Sequence, residues 1–174
     1  MTVALDALRI VQVLHRHGVD YVVIGGYAAV LYGSPRATED LDITPGTDVE
    51  NLRRLASALI ELGAELLPPD SEPIPWDWSA ESLRRFTTVT TRTSAGDLDL
   101  AFSPDAPDGG HFDYARLARR AVVVSLPPDV PVADLHDVIA SKQASGRPKD
   151  QATLPELRDL LARHREGPRR GEHS

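Results

Sequence analysis

The chain contains no cysteine. Disulfides, zinc–thiolate sites and thiol nucleophiles are therefore excluded together. No apolar run approaches the ~18 residues of a membrane helix. The first residues carry Asp6 and Arg9 inside an apolar pattern. That argues against a signal peptide and makes the cytoplasm the expected compartment. Lysine is scarce as well. Among 19 Lys and Arg residues only Lys142 and Lys149 are lysines, and they share one short segment. The net charge of −7 is a poor footprint for a binder of duplex DNA. It is uneven: residues 1–132 hold 11 basic against 19 acidic side chains, and residues 133–174 hold 8 against 7. Neither a Gly-x-Ser-x-Gly nor a P-loop lysine pattern occurs, and the six histidines show no metal-ligand spacing.

What remains is an ordinary globular composition, 41% hydrophobic and 26% charged, over 174 residues. It predicts one domain over residues 1–166 with a real core, and a frayed tail at 167–174. Helical and strand periodicities alternate, so the class is mixed α and β. Residues 3–17 read as an amphipathic helix with Leu5, Leu8, Val11, Val13 and Leu14 inward. Tyr21 to Ile24 is a short, wholly apolar strand. A helix over 26–32 and a strand over 40–44 follow, ended by Pro45-Gly46. Residues 48–62 form a helix with Asp48 as N-cap and Gly63 as terminator. A short strand is expected at 64–67.

Residues 68–80 are irregular, with four prolines, Trp76 and Trp78. They read either as a rigid loop whose tryptophans cover the edge of the core or as an aromatic surface for a base or partner. Residues 85–93 and 97–102 make a hairpin about Ser94-Ala95-Gly96. A loop at 103–111 leads to a helix over 112–120 and a strand over 121–126, which Pro127 and Pro128 end. Helices over 132–144 and 149–165 complete the chain, broken at 145–148 and kinked or restarted at Pro155.

The residues that carry chemistry begin after the first strand. Gly25-Gly26 opens a helix, where free backbone N–H groups can meet a phosphate. Asp40 and Asp42 lie two apart on a strand and share a face, while Leu41 and Ile43 point into the core. Asp97 and Asp99 repeat the alternation. If the two strands are neighbours, three or four carboxylates converge. Such a cluster needs a cation, and hard oxygen ligands beside a phosphate suit Mg²⁺ (or Mn²⁺). Asp99 is the expected third ligand, and Asp97 stands nearer the turn. The plain alternative for all four is a solvated strand end. Phosphates also need cations. Lys142 is the first candidate, against a lysine stem lying over its own helix. Arg36 would touch phosphate or carboxylates, or simply pair with Glu39 or Asp40. Arg147 and Lys149 would hold the acceptor's backbone. Asp150 reads as a cap of the last helix, and Thr38 as a residue bonding within its turn.

Together Gly25-Gly26, Asp40-Leu41-Asp42 and Leu98-Asp99-Leu100 resemble the signature of the DNA polymerase β-type nucleotidyltransferases. The finer pattern runs from Gly26-Tyr27-Ala28 through Gly33-Ser34-Pro35-Arg36-Ala37-Thr38-Glu39 to Asp40-Leu41-Asp42. With Asp137 to Lys142 and Gly146 to Asp150, it is similar to the branch of abortive-infection and mycobacterial toxin–antitoxin nucleotidyltransferases. The resemblance spans residues 20–150. It implies an α+β nucleotidyltransferase fold, a mixed sheet flanked by helices, with a helical C-terminal part from about residue 132. It implies transfer of an NMP from an NTP to an acceptor hydroxyl, with the tRNA 3′ end as acceptor and a cognate antitoxin as partner. Asp40, Asp42 and Asp99 would hold the metal, Asp99 would help deprotonate the acceptor, and Gly25, Gly26, Arg36 and Lys142 would hold the NTP. One departure is Gly26, which stands where many relatives have serine. Two other functions stay open at this point: an enzyme modifying a small molecule such as an antibiotic, and a binding protein that keeps the fold without catalysis.

Overall fold

The computed structural model describes residues 3–166. The expected tail at 167–174 lies outside them. Among the described residues, seven strands form one mixed sheet in the order β3-β4-β5-β2-β1-β7-β6. The strands are β1 (Tyr21–Ile24), β2 (Asp40–Pro45), β3 (Glu65–Leu66), β4 (Thr88–Thr93), β5 (Gly96–Ala101), β6 (Val122–Ser125) and β7 (Asp129–Val132). β2 runs parallel to β5 and antiparallel to β1, and β1 runs parallel to β7. The helices are α1 (Ala7–Arg16), α2 (Gly25–Leu31), α3 (Val49–Glu61), α4 (Ala80–Leu83), α5 (Tyr114–Ala118), α6 (Leu135–Ser145) and α7 (Pro148–Glu166). No helix of the described residues is long and apolar enough to cross a membrane.

Local chemistry explains most of the boundaries. Asp6 caps α1 by accepting the Arg9 N–H at 3.0 Å, and Asp48 caps α3 by accepting the Asn51 N–H at 3.0 Å. α1 turns Ala7, Ile10, Val11, Val13 and Leu14 inward, whereas Leu8, expected in the stripe, is exposed. Leu52, Leu55, Ala56, Leu59 and Leu62 bury the expected face of α3. The alternation of β5 puts Leu98 and Leu100 in the core and leaves Asp97 and Asp99 on the other face.

Pro127 and Pro128 follow the end of β6, as expected, but three other readings need correction, the first a missed strand. The chain turns through the two prolines into β7, which pairs antiparallel with β6. Pro131 lies within β7, and it is tolerated because β7 meets β1 at only one registered pair, Val23 with Val132. α6 consequently starts at Leu135 rather than 132, with Asp134 accepting the His136 N–H at 2.9 Å. α7 starts at Pro148, a position where the missing N–H costs nothing, and continues as one element through Pro155.

The irregular stretch sorts its two tryptophans. Trp78 is buried, and its indole N–H donates to the Ala64 carbonyl at 2.8 Å. Trp76 is partly exposed and packs against Phe86, with ring centroids 5.8 Å apart. The core-edge reading therefore holds for Trp78.

One polar side chain ties the sheet to α3. Asn51 is buried, its Oδ1 accepts the Asp20 N–H at 2.7 Å, and its Nδ2 donates to the carbonyls of Asp20 and Gly46 at 2.8 Å each. Replacing it by alanine strands three backbone groups where water is excluded. Asn51→Ala is expected to lower unfolding free energy by roughly 2–4 kcal/mol in urea titration. A loss below about 0.5 kcal/mol, the range of surface substitutions, would show that the link is dispensable.

Candidate active site

The register of three strands builds the site. On β2 and β5, Asp42 is paired with Asp99 and Asp40 with Asp97. On the other side of β2, Ile24 is paired with Asp42. The chain leaves β1 at Ile24 and turns at Gly25, so the glycine turn lies against the Asp42 side chain. A Cβ on Gly25 would stand 2.4 Å from Asp42 Oδ2, and Gly25 has φ +67°. Position 25 thus requires glycine for two separate reasons.

Asp40, Asp42 and Asp99 line one cleft of about 700 Å³ together with Gly25 and Gly26. Asp97 does not join them. Its carboxylate pairs with its cross-strand neighbour Arg92, with Nη2 to Oδ2 at 3.0 Å. Thr38 donates to Asp40 Oδ1 at 2.9 Å, so it bonds within its turn as expected. Its hydroxyl would lie 3.1 Å from a Cβ on Gly26. The space a serine would need at 26 is thus already crowded by a hydroxyl.

The carboxylates are electrostatically costly as they stand. Burial pushes Asp42 up to about 7, and the charges of Asp40 and Asp99 add to it against Lys142 and Lys149. Burial likewise raises Asp99 to about 6, opposed by a hydrogen bond from Thr90 and the charge of Lys149. Asp99 Oδ1 is buried without a hydrogen-bond partner. Acid-only oxygen donors, one of them orphaned, fit a hard divalent cation. Among the described residues no group of three or more His, Asp or Glu side chains is arranged to hold an ion unaided. This set would have to draw further ligands from phosphate oxygens and water.

The opposite wall is cationic. Lys142 on α6 donates to Asp150 Oδ1 at 3.1 Å, and Ser145 Oγ and Arg147 Nε each donate to Asp150 Oδ2 at 2.6 Å. Asp150 is buried. Burial opposes its charge, but the hydrogen bonds from Ser145, Arg147 and Lys142 outweigh that and hold it down at about 2. Contrary to the expectation of a cap, it lies inside the first turn of α7 and clamps Lys142, Ser145 and Arg147 at the α6–α7 corner. Lys142, Arg147 and Lys149 all line the cleft. Arg36 lines it too, yet its partner is neither Glu39 nor Asp40. Its Nε donates to Glu156 Oε2 on α7 at 2.6 Å, and Ser34 Oγ donates to the other oxygen of Glu156 at 2.5 Å. Glu156 and the clamp role of Asp150 had no local sequence signal. Ala133, Phe112, Leu117, Asp137 and Val138 line the cleft as well. That part of the lining was not foreseen, although an acid in the first turn of an otherwise apolar helix face marks Asp137.

Comparison with known proteins follows the same direction. A profile of the nucleotidyl transferase AbiEii toxin family, of type IV toxin–antitoxin systems, matches residues 8–161. No curated protein matches by sequence. The lincosamide antibiotic adenylyltransferase LnuA, solved with lincomycin bound, superposes with a TM-score of 0.57 at 15% identity, over 92% of this chain and 99% of that one. A putative nucleotidyltransferase from Thermotoga maritima gives 0.54 at 17%, over 87% and 92%. ANT(2″)-Ia in complex with adenylyl-2″-tobramycin gives 0.52 at 15%, over 90% and 93%. At such identities the likeness shows a shared fold, the α+β nucleotidyltransferase fold. The profile match covers nearly the whole sequence, and on that ground the chain belongs to the AbiEii family of nucleotidyl transferase toxins.

Proposed function

We propose that the chain is a metal-dependent nucleotidyltransferase toxin that moves an NMP from an NTP to the 3′-terminal hydroxyl of tRNA and releases pyrophosphate. The observation that carries this reading is the β1–β2–β5 register. It sets Gly25, Asp42 and Asp99 side by side in a cleft whose other wall presents Lys142 and Lys149.

Each residue then has a task. Asp40, Asp42 and Asp99 would hold Mg²⁺ or Mn²⁺, which when bound polarises phosphate oxygens and offsets charge on the attacking and leaving oxygens. Asp99, with its pKa raised to about 6, is suited to accept the proton of the acceptor hydroxyl. The hydroxyl oxygen bonds to the α-phosphorus as the bond to the pyrophosphate oxygen breaks. The N–H groups at Gly25-Gly26 would meet phosphate oxygens, Lys142 would balance the leaving pyrophosphate, and Lys149 stands with Arg147 for the acceptor's backbone. Asp150 keeps Lys142 pointed along its corner. Arg147 lines the cleft and is exposed, and Arg158 and Arg163 are exposed further along α7. Arg147 would meet the backbone of a single-stranded acceptor end. A cognate antitoxin is the expected partner, in keeping with the family.

A small-molecule acceptor is the second reading. It is favoured by the fold's occurrence in an adenylyltransferase solved with lincomycin and in an enzyme solved with adenylyl-tobramycin. The two separate in one assay. The protein is incubated with Mg²⁺, each labelled NTP in turn, and either total tRNA or a panel of lincosamides and aminoglycosides. Label in tRNA is the expected result, and label confined to a small molecule would replace the first reading with the second. In the same assay Asp42→Ala is expected to reduce transfer by roughly 10²- to 10³-fold or more with an unchanged circular dichroism spectrum. Full transfer by that variant would overturn the metal assignment.

The carboxylates also set a pH dependence. Asp42 and Asp99 have folded pKa values raised to about 7 and about 6 from an unfolded 3.8. Between pH 4 and 7 the folded state therefore holds more protons than the unfolded one, and these groups lose stabilisation as pH rises. Metal-free protein is expected to melt lower at pH 8 than at pH 5.5. Added Mg²⁺ binds the ionised forms, so it should raise the melting temperature more at pH 8. Equal Mg²⁺ shifts at both pH values would argue against these carboxylates as the ligands.

A further inference from the structure

The cleft is also lined by residues away from the carboxylates and the lysines, and we refer to this part as its second arm. It lies between the loop before α5, α5 itself and the first turn of α6. Its walls are apolar, with Phe112, Leu117 and Val138 all buried. The Arg116 guanidinium covers the Phe112 ring at 4.4 Å. Asp105 of the preceding loop lines the cleft from an exposed position, and among the apolar walls stands one buried acid. Asp137 is 5% exposed. Its Oδ1 accepts Arg120 Nη1 at 3.0 Å, whereas its Oδ2 is buried without a hydrogen-bond partner. A carboxylate oxygen in that position costs free energy unless a donor reaches it. Burial holds its carboxyl above the usual carboxylate range, against the charges of Arg120, Arg116 and His136 and with that of Asp134.

We propose that this arm receives the base of the incoming NTP and that Asp137 Oδ2 accepts a hydrogen bond from the base's exocyclic amino group. The inference rests on the nucleotidyl-transfer reading and adds a specificity residue to it. The shape and chemistry agree. A flat heterocycle suits an apolar slot beside an aromatic ring. Only one carboxylate oxygen lacks a partner, because Arg120 holds the other, so the match is to a single amino donor. Adenine, cytosine and guanine each carry one. Uracil presents an N–H between two carbonyl oxygens, which a carboxylate repels. The chain should therefore bind amino-bearing nucleotides and reject UTP.

The test is calorimetric binding in Ca²⁺, which avoids turnover. Wild-type protein is titrated with ATP, GTP, CTP and UTP, and with two analogues lacking the amino group, purine riboside triphosphate and ITP. Inorganic triphosphate reports the phosphate end alone. The expected result is that the preferred nucleotide loses at least about tenfold in affinity when its amino group is absent. Asp137→Asn keeps the oxygen that Arg120 needs and replaces the acceptor by a donor. It should abolish that preference, move the ranking towards UTP, and leave inorganic triphosphate unchanged. Asp137→Ser serves the same comparison if the Asn variant does not fold. Equal affinity for amino and deamino nucleotides in the wild type, or a preference that survives loss of the carboxylate, would overturn the proposal. If inorganic triphosphate and all nucleotides fail to bind, the nucleotidyl-transfer reading falls with it. Selective binding without amino dependence sinks the base assignment alone.

Discussion

Repulsion among carboxylates gathered on one sheet face is the constraint on which this molecule turns. The parallel pairing of β2 with β5 leaves Asp42 and Asp99 as direct neighbours, and β1 presses a backbone turn against Asp42. Within the sheet a hydrogen bond from Thr90 eases Asp99, while the Arg92 guanidinium is bound to Asp97. The compensation comes from the helical end of the chain, where Lys142 and Lys149 face the acids across the cleft. The uneven distribution of charge along the sequence is the linear form of this arrangement.

The two walls are fastened together by α7. At its first turn Asp150 gathers Ser145, Arg147 and Lys142. Two turns later Glu156 takes both Ser34 and Arg36 from the segment that leads into β2. Near its end His164 Nε2 lies 3.0 Å from the carbonyl oxygen of Tyr32. A single helix therefore fixes the lysine side of the cleft relative to the carboxylate side. Binding energy spent on phosphates is not lost to ordering these groups, because they are already held.

Where sequence reasoning succeeded, the signal was local. The period of two in Asp40-Leu41-Asp42 and Asp97-Leu98-Asp99-Leu100 fixes which side chains share a face, and the apolar partners Leu41, Ile43, Leu98 and Leu100 are indeed buried. The Gly-Gly turn and the paired lysines were legible for the same reason. What escaped depends on residues far apart in the chain. Arg36 and Glu156 are separated by 120 positions, so the nearer Glu39 seemed the natural partner. Asp150 resembled a cap because its three donors are brought round only by the α6–α7 corner. β7 was hidden by proline, whose cost in a strand depends on which neighbours it lacks. Asp97 shows the limit of periodicity alone. It is in register with Asp40, but a cross-strand arginine claims it.

Gly25 gives the site an unusual kind of fragility. A single methyl group there would collide with the Asp42 carboxylate and also force a left-handed backbone on a side-chain-bearing residue. The alanine substitution introduces neither charge nor bulk in the ordinary sense, yet its effect falls on the buried Asp42 carboxylate in the cleft. A Gly25→Ala change would thus reach the cleft while leaving the apolar core untouched.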